Sequence, residues 1–251
     1  MATASRANAS DSTRAVPSDG RSPFFVAMAA LLLVFLAVGF ARTFFLRSYF
    51  GTVDPASGTP SLPWHVYLHG SVMTAWFVVL FAQTSLVAAR RTDLHRVLGV
   101  AGAVLAALIV VVDLWTVFKG VPRNVLAGAT YEERRINVFG NLATLLPFAV
   151  CVATGVARRR EPDVHKRFML VASIAVIGQA TQRIGFLIGF NQLALLTLVG
   201  LASTLVVHDL WSRRRVHWAT ASALGVLFAS VVVFMIVARS PIGPAVLNAF
   251  S

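Results

Sequence analysis

Six histidines, His65, His69, His95, His165, His208 and His217, all fall within a turn or two of the end of a long apolar segment. An imidazole at such a place can bind a metal, hold a haem or carry a proton. Ionisable groups near or inside a membrane's apolar core are costly enough to mark a task. His65 and His69 form H-x-x-x-H, the i,i+4 spacing that brings two imidazoles to one metal from a single helix. With Asp113 they would complete a two-histidine, one-carboxylate set of the kind that suits iron or zinc. His95, His165, His208 and His217 form a second population, able as neutral imidazoles to take a transition metal (iron, copper or zinc) or the axial positions of a haem.

The first population stands out by its depth in the apolar segments. His69, Asp113, Asn141 and Arg183 each lie five to seven residues inside their apolar segments. At the helical rise this is roughly 7 to 11 Å below one and the same boundary. Arg42 approaches the same depth. Polar neighbours one turn away (His65 with His69, Asn137 with Asn141, Gln179 with Gln182 and Arg183) place each set on one helix face, and such a face is expected to point into a bundle. Two readings follow. In one the residues are packing elements, Asp113 neutralising Arg183 or Arg42 while the amides bond between helices. In the other they form a catalytic or binding cavity, with His69 and Asp113 carrying proton or metal chemistry and the arginines holding an anionic small molecule.

Helices across a bilayer must position these residues. Of the 251 residues 57% are hydrophobic and only 13% charged, a composition whose natural solvent is lipid. Seven stretches reach the roughly 20 apolar residues a crossing needs: Phe24 to Leu46, Pro63 to Ala89, His95 to Lys119, Ile136 to Ala157, Val164 to Phe190, Asn191 to Trp211 and Val216 to Ala238. The expected fold is therefore all-α: a seven-helix transmembrane domain over 24–238, between a disordered tail over 1–23 and a short external tail over 239–251. Gly39 and Ala41 raise the competing idea of a cleaved leader, but the apolar run before them is longer than such leaders carry. Fourteen of the 22 basic residues fall on the side of the N-terminus, among them Arg90, Arg91, Arg158 to Arg160 and Arg213 to Arg215. By the positive-inside rule the chain is expected to run N-in and C-out in a cell's inner (plasma) membrane. The net charge of +12 is then a topology signal plus attraction to anionic lipid, with no call for nucleic acid.

Smaller features agree. Cys151, the single cysteine, reads as a small buried hydrophobe, and Asp93 and Asp163 read as helix N-caps. Gly185 and Gly189 form a small-xxx-small pair open to a neighbouring helix. The only lysines, Lys119 and Lys166, lie at span ends, which sets retinal chemistry aside. Phosphate-binding loops and serine-hydrolase elbows are absent, as are paired broken spans of the transporter type.

The run from His69 to Leu98, with His69-Gly70, Trp76, Gln83 and Leu94-His95-Arg96 before Gly99, resembles uncharacterised bacterial multi-span membrane families. That resemblance implies a bacterial inner-membrane protein and no particular reaction. The histidines at successive span ends are remotely similar to those of di-haem b-type cytochromes, which implies at most one bis-histidine haem, in the cytoplasmic layer. The H-x-x-x-H and the Asp113 span are similar, less well, to zinc-dependent membrane ceramidase and progestin-receptor-like hydrolases. Together these lead to the expectation of a metal- or haem-binding protein in membrane redox chemistry. The alternative is a small transporter or an assembly subunit, and the oligomeric state stays open.

Overall fold

The computed structural model describes residues 23–249, and among them every regular element is helical. The expected N-terminal tail lies outside the described residues. The order is α1 (Pro23–Phe40) with a π-helical turn (Ala41–Phe45), α2 (Trp64–Ala88), α3 (Thr92–Leu126), α4 (Tyr131–Ala157), α5 (Pro162–Val176), α6 (Gly178–Ile188), α7 (Leu193–Arg213), α8 (Trp218–Arg239) and α9 (Ile242–Asn248). With the π turn joined to α1, and α5 joined to α6, seven helices are long and apolar enough to cross a membrane. We call the side bearing the α2–α3, α4–α5 and α7–α8 turns the basic end, and the other the far end.

Helix ends depart from the apolar runs where polar residues continue a helix in reach of water. The third helix extends through Pro122 to Leu126, beyond the expected Lys119. The fourth begins at Tyr131 rather than Ile136, because Thr130 and Glu133 form a capping box: the Thr130 hydroxyl accepts from the Glu133 N–H at 3.2 Å and the Glu133 carboxylate accepts from the Thr130 N–H at 2.8 Å. Asp93 and Asp163 are not the caps expected; they sit in the first turns of α3 and α5, behind Arg91 and Glu161. The segment after Ala238 is no free tail, since α9 folds back and buries Leu247 among Val121, Val138 and Phe139.

Two irregularities matter for the site. The fifth crossing breaks between Val176 and Gly178, and the first ends in the π turn; both lie within segments long and apolar enough to cross a membrane, and irregular backbone inside a bilayer is tolerated only within protein or along a cavity. These two crossings touch without a side chain between them: a Cβ built on Gly39 would stand 2.3 Å from the Ala180 carbonyl oxygen. At Gly185 a Cβ would stand 2.5 Å from the Phe190 carbonyl oxygen, which follows the left-handed Gly189, and 3.2 Å from Leu193 Cβ at the start of α7, so the next helix does approach closely there.

The core is continuous from α1 to α8, with α5 at its centre: Phe168, Val171, Ile174 and Ile177 are buried. Trp76 of α2 reaches α5 through an Nε1–H bond to Ser173 Oγ at 3.1 Å and meets Phe148 of α4 edge to face at 5.0 Å. Pro147 in α4 cannot donate to the Ala143 carbonyl one turn back, and that carbonyl accepts instead from the buried Ser230 hydroxyl of α8 at 2.9 Å.

Candidate functional site

Between the far halves of α1, α2, α3 and α4 and the α5–α6 break lies a cavity of about 50 Å3. Its polar lining is His69, Thr74, Asp113, Asn141, Thr144 and Gln179, with Phe40, Phe44, Val176 and Ala180 as apolar wall. Three of the four residues placed at one depth by counting thus converge. His69 and Asp113 come from adjacent helices, and His69 Nδ1 lies 3.3 Å from Asp113 Oδ1. The ring N–H does not point along that line, so Nδ1 makes no hydrogen bond to a described residue. A small rotation of either side chain would convert the contact into one. Asn141 donates to the Asn137 carbonyl at 2.7 Å and lines the cavity, while Asn137 itself is exposed.

Arg183 stands beside this pair rather than in the lining. Its guanidinium lies over the Phe40 ring at 4.5 Å, donates to the Gln179 carbonyl at 3.1 Å, and is close enough for its charge to act on His69. Arg42 does not join: it is exposed, with its guanidinium over Phe50. His65 does not join either. One turn nearer the far end, it packs at 5.6 Å against Trp115, which also meets Trp64. The expected His65, His69 and Asp113 metal set is therefore not gathered, and among the described residues no three His, Cys, Asp or Glu side chains stand together so as to hold a metal ion. The volume bears on ligand size too. At about 10 to 15 Å3 per water, 50 Å3 admits a few waters or a small ion and no porphyrin.

At the basic end the four histidines divide. His95 and His165 face each other across α3 and α5 with ring centroids 6.2 Å apart and planes nearly perpendicular. His165 donates through Nδ1 to the Gly155 carbonyl at 2.8 Å, which leaves Nε2 as its free nitrogen. His208 instead stacks on Phe24 at 4.0 Å, and His217 caps α8, its Nδ1 accepting from the Ala219 N–H at 3.1 Å. Burial, and then the charges of Arg167 and Arg213, lower the pKa of His217 below its ordinary value, as a cap that needs a neutral ring requires.

Counting histidines overlooked the most buried charges among the described residues. Arg167 of α5 and Asp209 of α7 are both fully buried and paired through two guanidinium nitrogens. Asp209 also accepts from the Thr220 hydroxyl at 2.5 Å and from the His217 backbone N–H at 3.0 Å, so one carboxylate ties α5, α7 and α8. Removing one member of such a pair costs about 3 to 5 kcal/mol. The available signal was a carboxylate inside an apolar span, the same signal that marked Asp113. At the far end the loop carboxylate Asp54 is buried and paired with Arg123 of α3. Its burial works to raise the pKa, but the Ser57 hydroxyl at 2.9 Å, the Arg123 charge and the Ala56 N–H outweigh that and hold it below 3.8.

Compared with models of known families, with curated proteins and with solved structures, the chain matches none.

Proposed function

We propose that this is a multi-pass protein of a bacterial inner membrane, N-in and C-out, that works by exchanging a proton at the His69–Asp113 pair, the proton being linked to opening of the cavity at the π turn and the α5–α6 break. This is the chemistry of a small proton-linked transporter. The observation that carries it is the pair itself: an imidazole and a carboxylate 3.3 Å apart in a cavity sized for water, with the Arg183 charge alongside. A histidine–carboxylate pair can share one proton or hold two, and each state changes the charge facing Arg183. Both backbone irregularities of the spans border this cavity through Phe44, Val176 and Gln179, so a change of charge acts on the least regular helical segments of the wall. Toward the basic end the cavity gives way to packed side chains, with Trp76, Phe148 and Ser173 buried.

Labelling a cavity residue tests this. With Cys151 replaced by Ala and Thr144 by Cys, a water-soluble thiol reagent is expected to react at a rate that changes with pH in reconstituted protein. Asp113→Asn is expected to abolish that dependence. A rate that tracks only thiol ionisation, equally in both backgrounds, would overturn the reading.

A second reading, membrane redox chemistry with haem or a transition metal at the basic end, is favoured by one observation. His95 and His165 come from different helices, face each other at 6.2 Å, and the second has its tautomer fixed by Gly155 as ligating histidines usually do. A Soret band in the purified protein that His165→Ala removes would establish it. A colourless, metal-free, folded protein would dismiss it.

A further inference from the structure

The far end carries a second cavity, independent of the His69–Asp113 pair. It measures about 380 Å3, within the range of small-molecule sites. It lies between the π turn, the loop that follows and the start of α2, and is lined by Phe44, Phe45, Arg47, Ser48, Thr52 and Tyr67. Phe44 is common to both cavities, its ring lying against Gly70, so the outer space ends where the inner one begins.

Arg47 is the residue that asks for an explanation. It is only 7% exposed, yet it forms no ion pair among the described residues. Its Nε donates to the Pro60 carbonyl at 2.6 Å and Nη1 to the Thr43 carbonyl at 3.3 Å, while Nη2 is buried with no acceptor. The Thr43 hydroxyl, on the preceding turn, is likewise buried without a partner. The carboxylate nearest in sequence, Asp54, is committed to Arg123 and Ser57. Among the described residues two other buried charges outside the cavity have found countercharges, Arg167 in Asp209 and Asp54 in Arg123. A buried guanidinium held by carbonyls alone has no countercharge and gains most from an anion.

We propose that this outer cavity binds the oxyanion of an amphiphile, a phosphate or carboxylate carried on an apolar chain, with Arg47 as the countercharge. The wall fits both parts of such a molecule. Arg47 and Ser48 offer charge and hydroxyl, and Phe44, Phe45 and Tyr67 offer aromatic surface, with Phe45 and Tyr67 exposed where lipid tails or a free amphiphile would reach them. The Thr52 hydroxyl is already turned inward to the Arg42 carbonyl at 3.0 Å, so its lone pairs rather than its proton face the space, and the anion's donors are Arg47 and Ser48. A phosphate or carboxylate in the cavity would meet the Arg47 side chain in the wall, and a shift of that side chain would give the enclosed Nη2 the charge-assisted partner it lacks.

The full-length protein in lipid nanodiscs tests this with two probes. In discs mixing phosphatidylglycerol with phosphatidylcholine, lipid retained on the protein is identified by native mass spectrometry; in pure phosphatidylcholine discs, octanoate is titrated by calorimetry. The wild type is expected to retain phosphatidylglycerol selectively, to bind octanoate, or both. Retention alone identifies a membrane lipid as the source, and octanoate binding a free amphiphile. Arg47→Gln is expected to weaken whichever is seen by about tenfold or more, the loss of one charge-assisted contact. Ser48→Asp leaves the buried residues in place and supplies Arg47 with an internal carboxylate, so it is expected to do the same even if Arg47→Gln folds poorly. Binding unchanged in Ser48→Asp, or a wild type that neither selects phosphatidylglycerol nor binds octanoate, would overturn the proposal.

Discussion

A histidine that accepts a backbone N–H at its ring nitrogen cannot protonate that nitrogen without losing the bond, and His217 is held in this position at the start of α8. Its pKa is lowered in the folded protein, so between the ordinary value of 6.5 and the folded one the unfolded chain binds more protons. The stability contributed by this group is therefore present above pH 6.5 and is lost as pH falls below it. His217→Ala is expected to cost about 1 kcal/mol at neutral pH, the usual worth of a cap. It is also expected to flatten the decline in chemical-denaturation midpoint below pH 6.5, whereas His217→Asn keeps the cap and flattens the decline without the loss. An unaltered pH slope in both variants would remove His217 from the account. At this scale the sequence was informative about depth and silent about direction. Counting residues inward brought His69, Asp113 and Asn141 to one cavity, because a straight helix converts position into depth. It failed for Arg42, which the π turn swings outward, and for His65, which is a full turn nearer the end and has Trp115 to pack against.

Among the elements, the prolines show how a helix defect is repaired from a neighbour. Because Pro147 leaves the Ala143 carbonyl without its helical donor, the Ser230 hydroxyl of α8 is worth more than an average hydroxyl between spans. Ser230→Ala is expected to destabilise the bundle by about 1 kcal/mol. In a Pro147→Ala background, where the helix can satisfy Ala143 itself, the same change is expected to cost about half as much or less. Unfolding in mixed micelles of the four proteins in that cycle measures the coupling, and strict additivity would mean that Ser230 does not serve Ala143. Pro147 and Gly39 were visible as residues, but their partners Ser230 and Ala180 were not, since nothing local says which helix lies alongside. The break at Ile177 was invisible for a different reason. No proline precedes it, and an Ile-Gly step is ordinary in a span; the break is set by the packing of Ala180 against Gly39 and by the cavity that accommodates the freed backbone.

For the molecule as a whole, the seven crossings were legible because a bilayer demands long apolar runs and this chain supplies them with only 13% charged residues. The arrangement of those crossings was not, and it decides the chemistry. It puts α5 at the centre, locks three helices on Asp209 at the basic end, and leaves a water-sized polar cavity in the opposite half. The same arrangement sorts the six histidines into one beside a carboxylate in the cavity, two facing each other, and three engaged in stacking or capping, of which His208 also lies 3.8 Å from Asp209, a carboxylate already held by Arg167. Proton exchange at the cavity pair can be seen directly. Infrared difference spectra of the reconstituted protein, taken across about pH 4 to 9 to span the range of carboxyl and imidazole titration, should show a protonated-carboxyl stretch that rises and falls with pH. That band should be absent from Asp113→Asn and displaced along the pH axis in His69→Gln. A wild type without any titrating carboxyl band of this origin, or a band that Asp113→Asn leaves intact, would contradict proton exchange at the His69–Asp113 pair.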